Sequence, residues 1–130
     1  MSEETIELAR QGYRHFNEVG EFDSAFISPE CEFDLSNAMP DVRPFRGLDQ
    51  ANAVLREWTE AFEDFRVEAD RFLEAPGDRL VVFVRNTARL EGTADPIENH
   101  FVHVFTMRDG RAVRMEGYID EDKALEAAGL

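Results

Sequence analysis

A chain of 130 residues carrying 28 acidic against 14 basic side chains, a formal net charge of −14, repels nucleic acid and anionic membrane surfaces alike. Eleven phenylalanines supply enough bulky apolar surface to exclude a disordered chain, and a single cysteine, Cys31, excludes an intramolecular disulfide and any multi-cysteine metal site. The acidic start MSEETIELAR lacks the basic and apolar stretches of a signal peptide, and no run approaches the roughly 20 apolar residues of a membrane helix, so a cytoplasmic protein with one domain over residues 1–130 is expected.

Ile6, Ala9, Tyr13 and Phe16 recur at helical spacing, with Glu3 and Glu4 suited to the positive end of a helix and Gly20 to its stop. FDSAFIS then reads as a short helical segment capped by Asp23 or Ser24 and ending before Pro29. CEFDL alternates, with Cys31, Phe33 and Leu35 on one face and Glu32 and Asp34 on the other, which predicts a short strand. SNAMPDVRPF, with two prolines and little periodicity, reads as a loop.

After Gly47, the stripe Ala51, Val54, Leu55, Trp58 and Phe62 predicts a further helix. FRVEADRFL sets Phe65, Val67 and Ala69 against Arg66, Glu68 and Asp70; APGD is a turn, and RLVVFVRNTARLEG is a long strand. Residues 98–107 form another strand, RDGR a hairpin turn, and residues 112–119 the returning strand; Asp120 caps a last helix ending at Gly129. Helices segregated from a mostly antiparallel sheet make an α+β domain, and a strongly curved sheet closed on one face by helices leaves a cone-shaped cavity.

Three stretches carry a resemblance: GYRHFNEVGEFDSAF, FRGLDQANAVLREW and HVFTMRDGRAVRMEGYID. With the element order and length, they make the chain similar to the SnoaL-like branch of the nuclear transport factor 2-like superfamily, over nearly its whole length. The resemblance implies a cone-shaped α+β barrel that dimerises through its sheet. The superfamily includes isomerases, cyclases, hydratases, epoxide hydrolases and non-enzymatic modules, so the site has to decide the function. Relative to the steroid isomerases, Tyr13 falls on the tyrosine of the first helix and His103 on the late-strand acid, both oxyanion donors. The carboxylate base falls on Leu35, which moves no proton, with Asp34 beside it on the opposite parity. Relative to the polyketide cyclases, the acid near the end of the last strand falls on Gly117, flanked by Glu116 and Tyr118 on the other parity.

His103 and Tyr13 are accordingly the expected catalytic residues, and each has a plain structural reading as a core residue satisfied by a neighbour. His103 shares the apolar parity of Phe101, Phe105 and Met107, whereas His100 falls on the opposite face with Val102 and Val104. The same reasoning puts His15 on the surface and Cys31 in the core. The apolar parities give the expected ligand-binding wall: Phe33, Leu35, Phe101, Phe105, Met115 and Gly117, with Trp58 from the helix. Arg85 joins this set on the isomerase alignment, which aims Phe83, Arg85 and Thr87 inward; periodicity alone pairs Leu80, Val82 and Val84 inward and leaves Arg85 and Arg89 outside. An inward Arg85 would favour an acidic or enolate ligand.

No His-x-x-x-His or Cys-x-x-Cys spacing, phosphate-cradling glycine loop or nucleophile elbow is found, so neither metal nor cofactor is expected. Two readings stand. In one, an enzyme uses His103 as acid/base or electrophilic donor, helped by Tyr13, on a carbonyl compound. In the other, a dimeric module binds a small, largely apolar ligand without turnover.

Overall fold

The computed structural model describes residues 3–90 and 92–130. Its elements run α1 (Glu3–Val19), β1 (Ile27–Asn37), β2 (Phe45–Arg46), α2 (Leu48–Ala61), β3 (Phe62–Ala75), β4 (Arg79–Leu90), β5 (Ile97–Arg108), β6 (Arg111–Tyr118) and α3 (Glu121–Ala127). The strands form one curved, unclosed sheet in the order β2-β1-β6-β5-β4-β3. β3 to β6 are the antiparallel meander that alternation predicts, and β1 adds to β6 in parallel.

The turns follow from their residues. Asp109 and Gly110 both take positive φ (53° and 81°), the requirement of a two-residue hairpin whose twist matches the flanking strands. β3 is irregular at two places, between Glu63 and Arg66 and between Ala69 and Arg71. Such bulges bend a strand and increase its twist, which is how this sheet comes to wrap around a core.

Two expectations change at the start of the sheet. FDSAFIS is a turn and not a helix: the Asp23 carbonyl accepts from Phe26 N–H (3.1 Å) and Ile27 N–H (2.8 Å), and Asp23 Oδ1 accepts from Ala25 N–H (3.0 Å). Asp23 therefore does cap, but the chain turns straight into β1, which spans 11 residues rather than the five of CEFDL. β1 passes through Pro29, which lacks an N–H, and its register against β6 shifts between Ile27 and Glu32, where that missing donor lies. The expected loop after it also holds a short pairing, Glu32 with Arg46 and Phe33 with Phe45.

The helices dock by their apolar stripes. Gly12 in α1 lies so close to the turn that an added Cβ would stand 3.2 Å from the Phe26 ring. One residue of α1 grips the edge strand directly: Asn17 donates from Nδ2 to Val67 O (2.9 Å) and accepts at Oδ1 from Val67 N–H (2.8 Å). The main core lies between α1, α2 and the inner face of the sheet, with Phe33, Leu80, Val82, Val84 and Phe105 almost wholly buried. A smaller cluster, Val81, Val102, Val104 and Tyr118, packs on the outer face beneath Ala124 and Ala128 of the C-terminal segment.

Candidate functional site

Strand alternation places the inner wall. On β5, Phe101, His103 and Phe105 face the space beneath the helices; on β6, Met115 and Gly117 do so, and on β1, Phe33 and Leu35. α2 contributes Trp58 and α1 contributes Tyr13, and together they line a cavity of about 90 Å³. Nearly all of the wall is aliphatic or aromatic, so its few polar groups stand out.

Two of them meet. The Tyr13 hydroxyl lies 2.7 Å from His103 Nδ1, with the two rings nearly parallel (10°) and the Phe105 ring edge-on to both. Burial pushes the His103 imidazole down from 6.5 to about 4, and burial likewise pushes the Tyr13 phenol well above its usual value. Both groups are neutral at pH 7; in the arrangement that gives the phenol proton an acceptor, the O–H donates to Nδ1 and the ring keeps its own proton on Nε2. No described residue hydrogen-bonds Nε2, which leaves an N–H donor on the cavity wall. His103 is poorly suited to abstracting a proton, since an imidazole titrating near 4 is a weak base.

The carboxylates near the family's acid and base positions are turned away. Asp34 lies on the outer face, where Ser36 Oγ–H donates to its Oδ1 (2.6 Å) and Arg114 stands 3.6 Å from Oδ2. These contacts, led by the Ser36 hydrogen bond, hold the Asp34 carboxyl below its usual range. Glu116 accepts from Arg114 Nε–H (2.8 Å) and from the Tyr118 hydroxyl (2.8 Å) on the same outer face. Leu35 and Gly117 are the residues that face the cavity at these positions, and they lie against each other: a Cβ on Gly117 would stand 3.1 Å from Leu35 Cδ2.

Arg85 is a correction. It is not part of the cavity wall; its guanidinium donates to both carboxylate oxygens of Asp70 (2.7 and 3.0 Å) and lies 3.8 Å from Glu98 on the outer face. Periodicity decides the matter against the isomerase alignment, because Val82 and Val84 fill the inner side and an arginine's charge is cheaper to solvate than to bury. Arg89 likewise faces outward, paired with Asp64. His100 lies beside Glu98 (3.2 Å) on that face, and Cys31 is fully buried in the main core.

Two polar residues of the wall were not placed in it by the sequence. Asp23 lines the cavity from its turn, and it is the only carboxylate among the described lining residues. Asn86 lines it from β4, and its Oδ1 is buried with no hydrogen-bond partner. Its signal was present: it continues the inward parity of Leu80, Val82 and Val84 as the one amide in that row.

Residues 11–115 match the model of the SnoaL-like domain. The chain belongs to this SnoaL-like family. The SnoaL-like chain is similar to TerC, whose crystal structure was obtained with polyporic acid, at 27% identity and a TM-score of 0.74 over 98% of this chain and 99% of that one. It is similar also to an NTF2-like protein of unknown function from Burkholderia pseudomallei (22% identity, TM-score 0.72, 100% of both chains). A third structure of ketosteroid isomerase-like fold, from Catenulispora acidiphila and in complex with trimethylamine, aligns at 14% identity and a TM-score of 0.67 over 100% and 95%. No curated protein matches. Among the described residues no helix is long and apolar enough to cross a membrane.

Proposed function

We propose that this SnoaL-like protein binds a small, largely apolar organic molecule in its cavity and recognises a carbonyl or enolate oxygen on it through the Nε2–H of His103. The observation that carries this reading is the Tyr13–His103 hydrogen bond, set in a wall that is otherwise almost entirely apolar. Tyr13 fixes the tautomer and the ring orientation, and burial keeps the donor uncharged, so a polarised oxygen can be met without desolvating a cation. TerC's crystallisation with polyporic acid supports a small-molecule ligand.

Chemistry on the bound molecule, of the isomerase, cyclase or hydrolase kind, would use His103 as an electrophilic donor that stabilises developing charge, not as the base. A second reading, binding without turnover, is favoured by the outward Asp34 and Glu116, whose contacts with Ser36 and Arg114 keep them from the cavity. We further propose the homodimer through the sheet that the resemblance implies; a monomer mass in sedimentation equilibrium across micromolar concentrations would rule it out.

Acetophenone and polyporic acid are suitable probes for an NMR titration of amide resonances. Both the wild type and a His103→Leu variant are titrated. The reading expects shifts clustered at Tyr13, Trp58, Phe101 and Gly117, with affinity about tenfold weaker in the variant, the weight of one hydrogen bond to a buried donor. No response to either compound would overturn binding. Equal affinity in both proteins would overturn the role of His103.

A further inference from the structure

A second space opens on the other side of Tyr13, outside the cavity. Glu7, Arg10, Arg14 and Asn17 follow one another along α1 at helical spacing, a polar row beside the apolar stripe. This row faces the edge strand β3 across a cleft of about 340 Å³, lined also by Tyr13, Glu68, Ala69 and Phe72. At one end Asn17 ties α1 to β3 through its two hydrogen bonds with Val67. At the other, about 10 Å of helix away, the Arg10 guanidinium lies 4.6 Å over the Phe72 ring. On the inner side of β3 the only side chain between Val67 and Phe72 is the methyl group of Ala69, beside a bulge in the strand. Helix and strand are thus bridged at both ends and open in the middle.

The charges around this opening do not cancel. Arg14 is paired with Glu7 (2.9 Å), and Glu68 with Arg66 (3.0 Å). Arg10 has no carboxylate partner among the described residues, and its guanidinium rests on the Phe72 ring instead. A guanidinium stacked on a ring is oriented in advance, with its N–H groups directed outward in the plane of the fork. That fork matches a carboxylate through two parallel hydrogen bonds. Beside it, Tyr13, Ala69 and Phe72 supply apolar surface for a planar body.

We propose that the cleft between α1 and β3 is a second binding site, and that it takes a small aromatic carboxylate. The carboxylate meets the Arg10 fork with Arg14 beside it, and the ring lies over Ala69 against Phe72 and Tyr13. The site does not depend on what the cavity binds, although Tyr13 is the wall between the two.

Benzoate tests it, titrated at low ionic strength and followed by amide NMR, with benzamide as the uncharged counterpart of the same shape. Tyr13 borders both spaces, so its own resonance does not discriminate between them. Benzoate should give saturable shifts at Arg10, Ala69 and Phe72, and benzamide should bind at least tenfold more weakly. Arg10→Gln should weaken benzoate about tenfold, as should a rise in salt that screens an exposed charge pair. Ala69→Leu, which fills the opening without altering a charge, should abolish the response. Arg108→Gln, the loss of an exposed arginine at the far end of β5, should leave the affinity unchanged.

Shifts confined to Phe101 and Gly117 would put benzoate in the cavity and overturn the cleft as its site. Equal affinity for benzoate and benzamide, or an Arg10→Gln protein that binds as the wild type does, would overturn the carboxylate class. Should Ala69→Leu fail to fold, the Arg10→Gln comparison decides. No response to benzoate would overturn the proposal and leave the reading of the cavity, which the ketone titration tests, standing.

Discussion

His103 is a titratable group that the fold holds neutral, and stability must then depend on pH in a defined direction. Its folded-state value of about 4 lies below the 6.5 of an unfolded histidine, with burial as the cause. Between these two values the unfolded chain binds the extra proton and the folded one does not, so stability falls as pH drops through this window. The full effect is about 3 kcal/mol. Urea denaturation at intervals from pH 7 to pH 4 should show this slope, and His103→Leu should flatten it. An unchanged slope in the variant would mean that His103 is not held neutral. Asp34 and Asp70, both held below the usual carboxylate range by their hydrogen bonds, lose their stabilising partners only at lower pH. The sequence made His103 legible by parity among phenylalanines. Tyr13, 90 positions away, entered as its companion through the resemblance and not through periodicity, because that contact depends on how α1 crosses the sheet.

At the scale of elements, alternation was a good guide wherever one face of a strand is buried. β4 illustrates this: its Leu-Val pattern placed Arg85 outside, and only an imposed alignment aimed it inward. Alternation failed where backbone hydrogen bonding and not side-chain burial sets the structure. The FDSAFIS turn is held by the Asp23 carbonyl and carboxylate, and its apolar residues imitate a helical stripe. β2 is two residues long and carries no period to detect. Asn17 belongs to this scale too, since it stitches α1 to an edge strand through both polar groups of Val67. Asn17→Ala should cost about 2 kcal/mol, the loss of two hydrogen bonds at partly buried groups. Chemical denaturation measures the cost, and hydrogen exchange should show faster loss of the Val67 amide. A protected Val67 in the variant would mean that water or another residue replaces the amide fully.

For the whole molecule, the arrangement of the sheet matters more than its composition. The meander β3 to β6 joins neighbours in sequence, but β1 is paired with β6, and Glu32 meets Arg114 82 positions further along the chain. That parallel pairing brings Leu35 against Gly117, so one wall of the cavity consists of segments from opposite ends of the sequence. Closing so long a loop is entropically unfavourable until many contacts reward it. β1 should therefore dock late in folding, after the meander has formed. Truncating Leu35 to alanine should speed unfolding and leave the folding rate nearly unchanged, giving a φ-value close to zero, whereas Val82→Ala within the meander should slow folding. A φ-value near one at Leu35 would reverse this order. On a ribosome the consequence is temporal: β1 waits, its β6-facing edge unpaired, until the last strand has been made. The cavity is thus the last part of the molecule to come into existence.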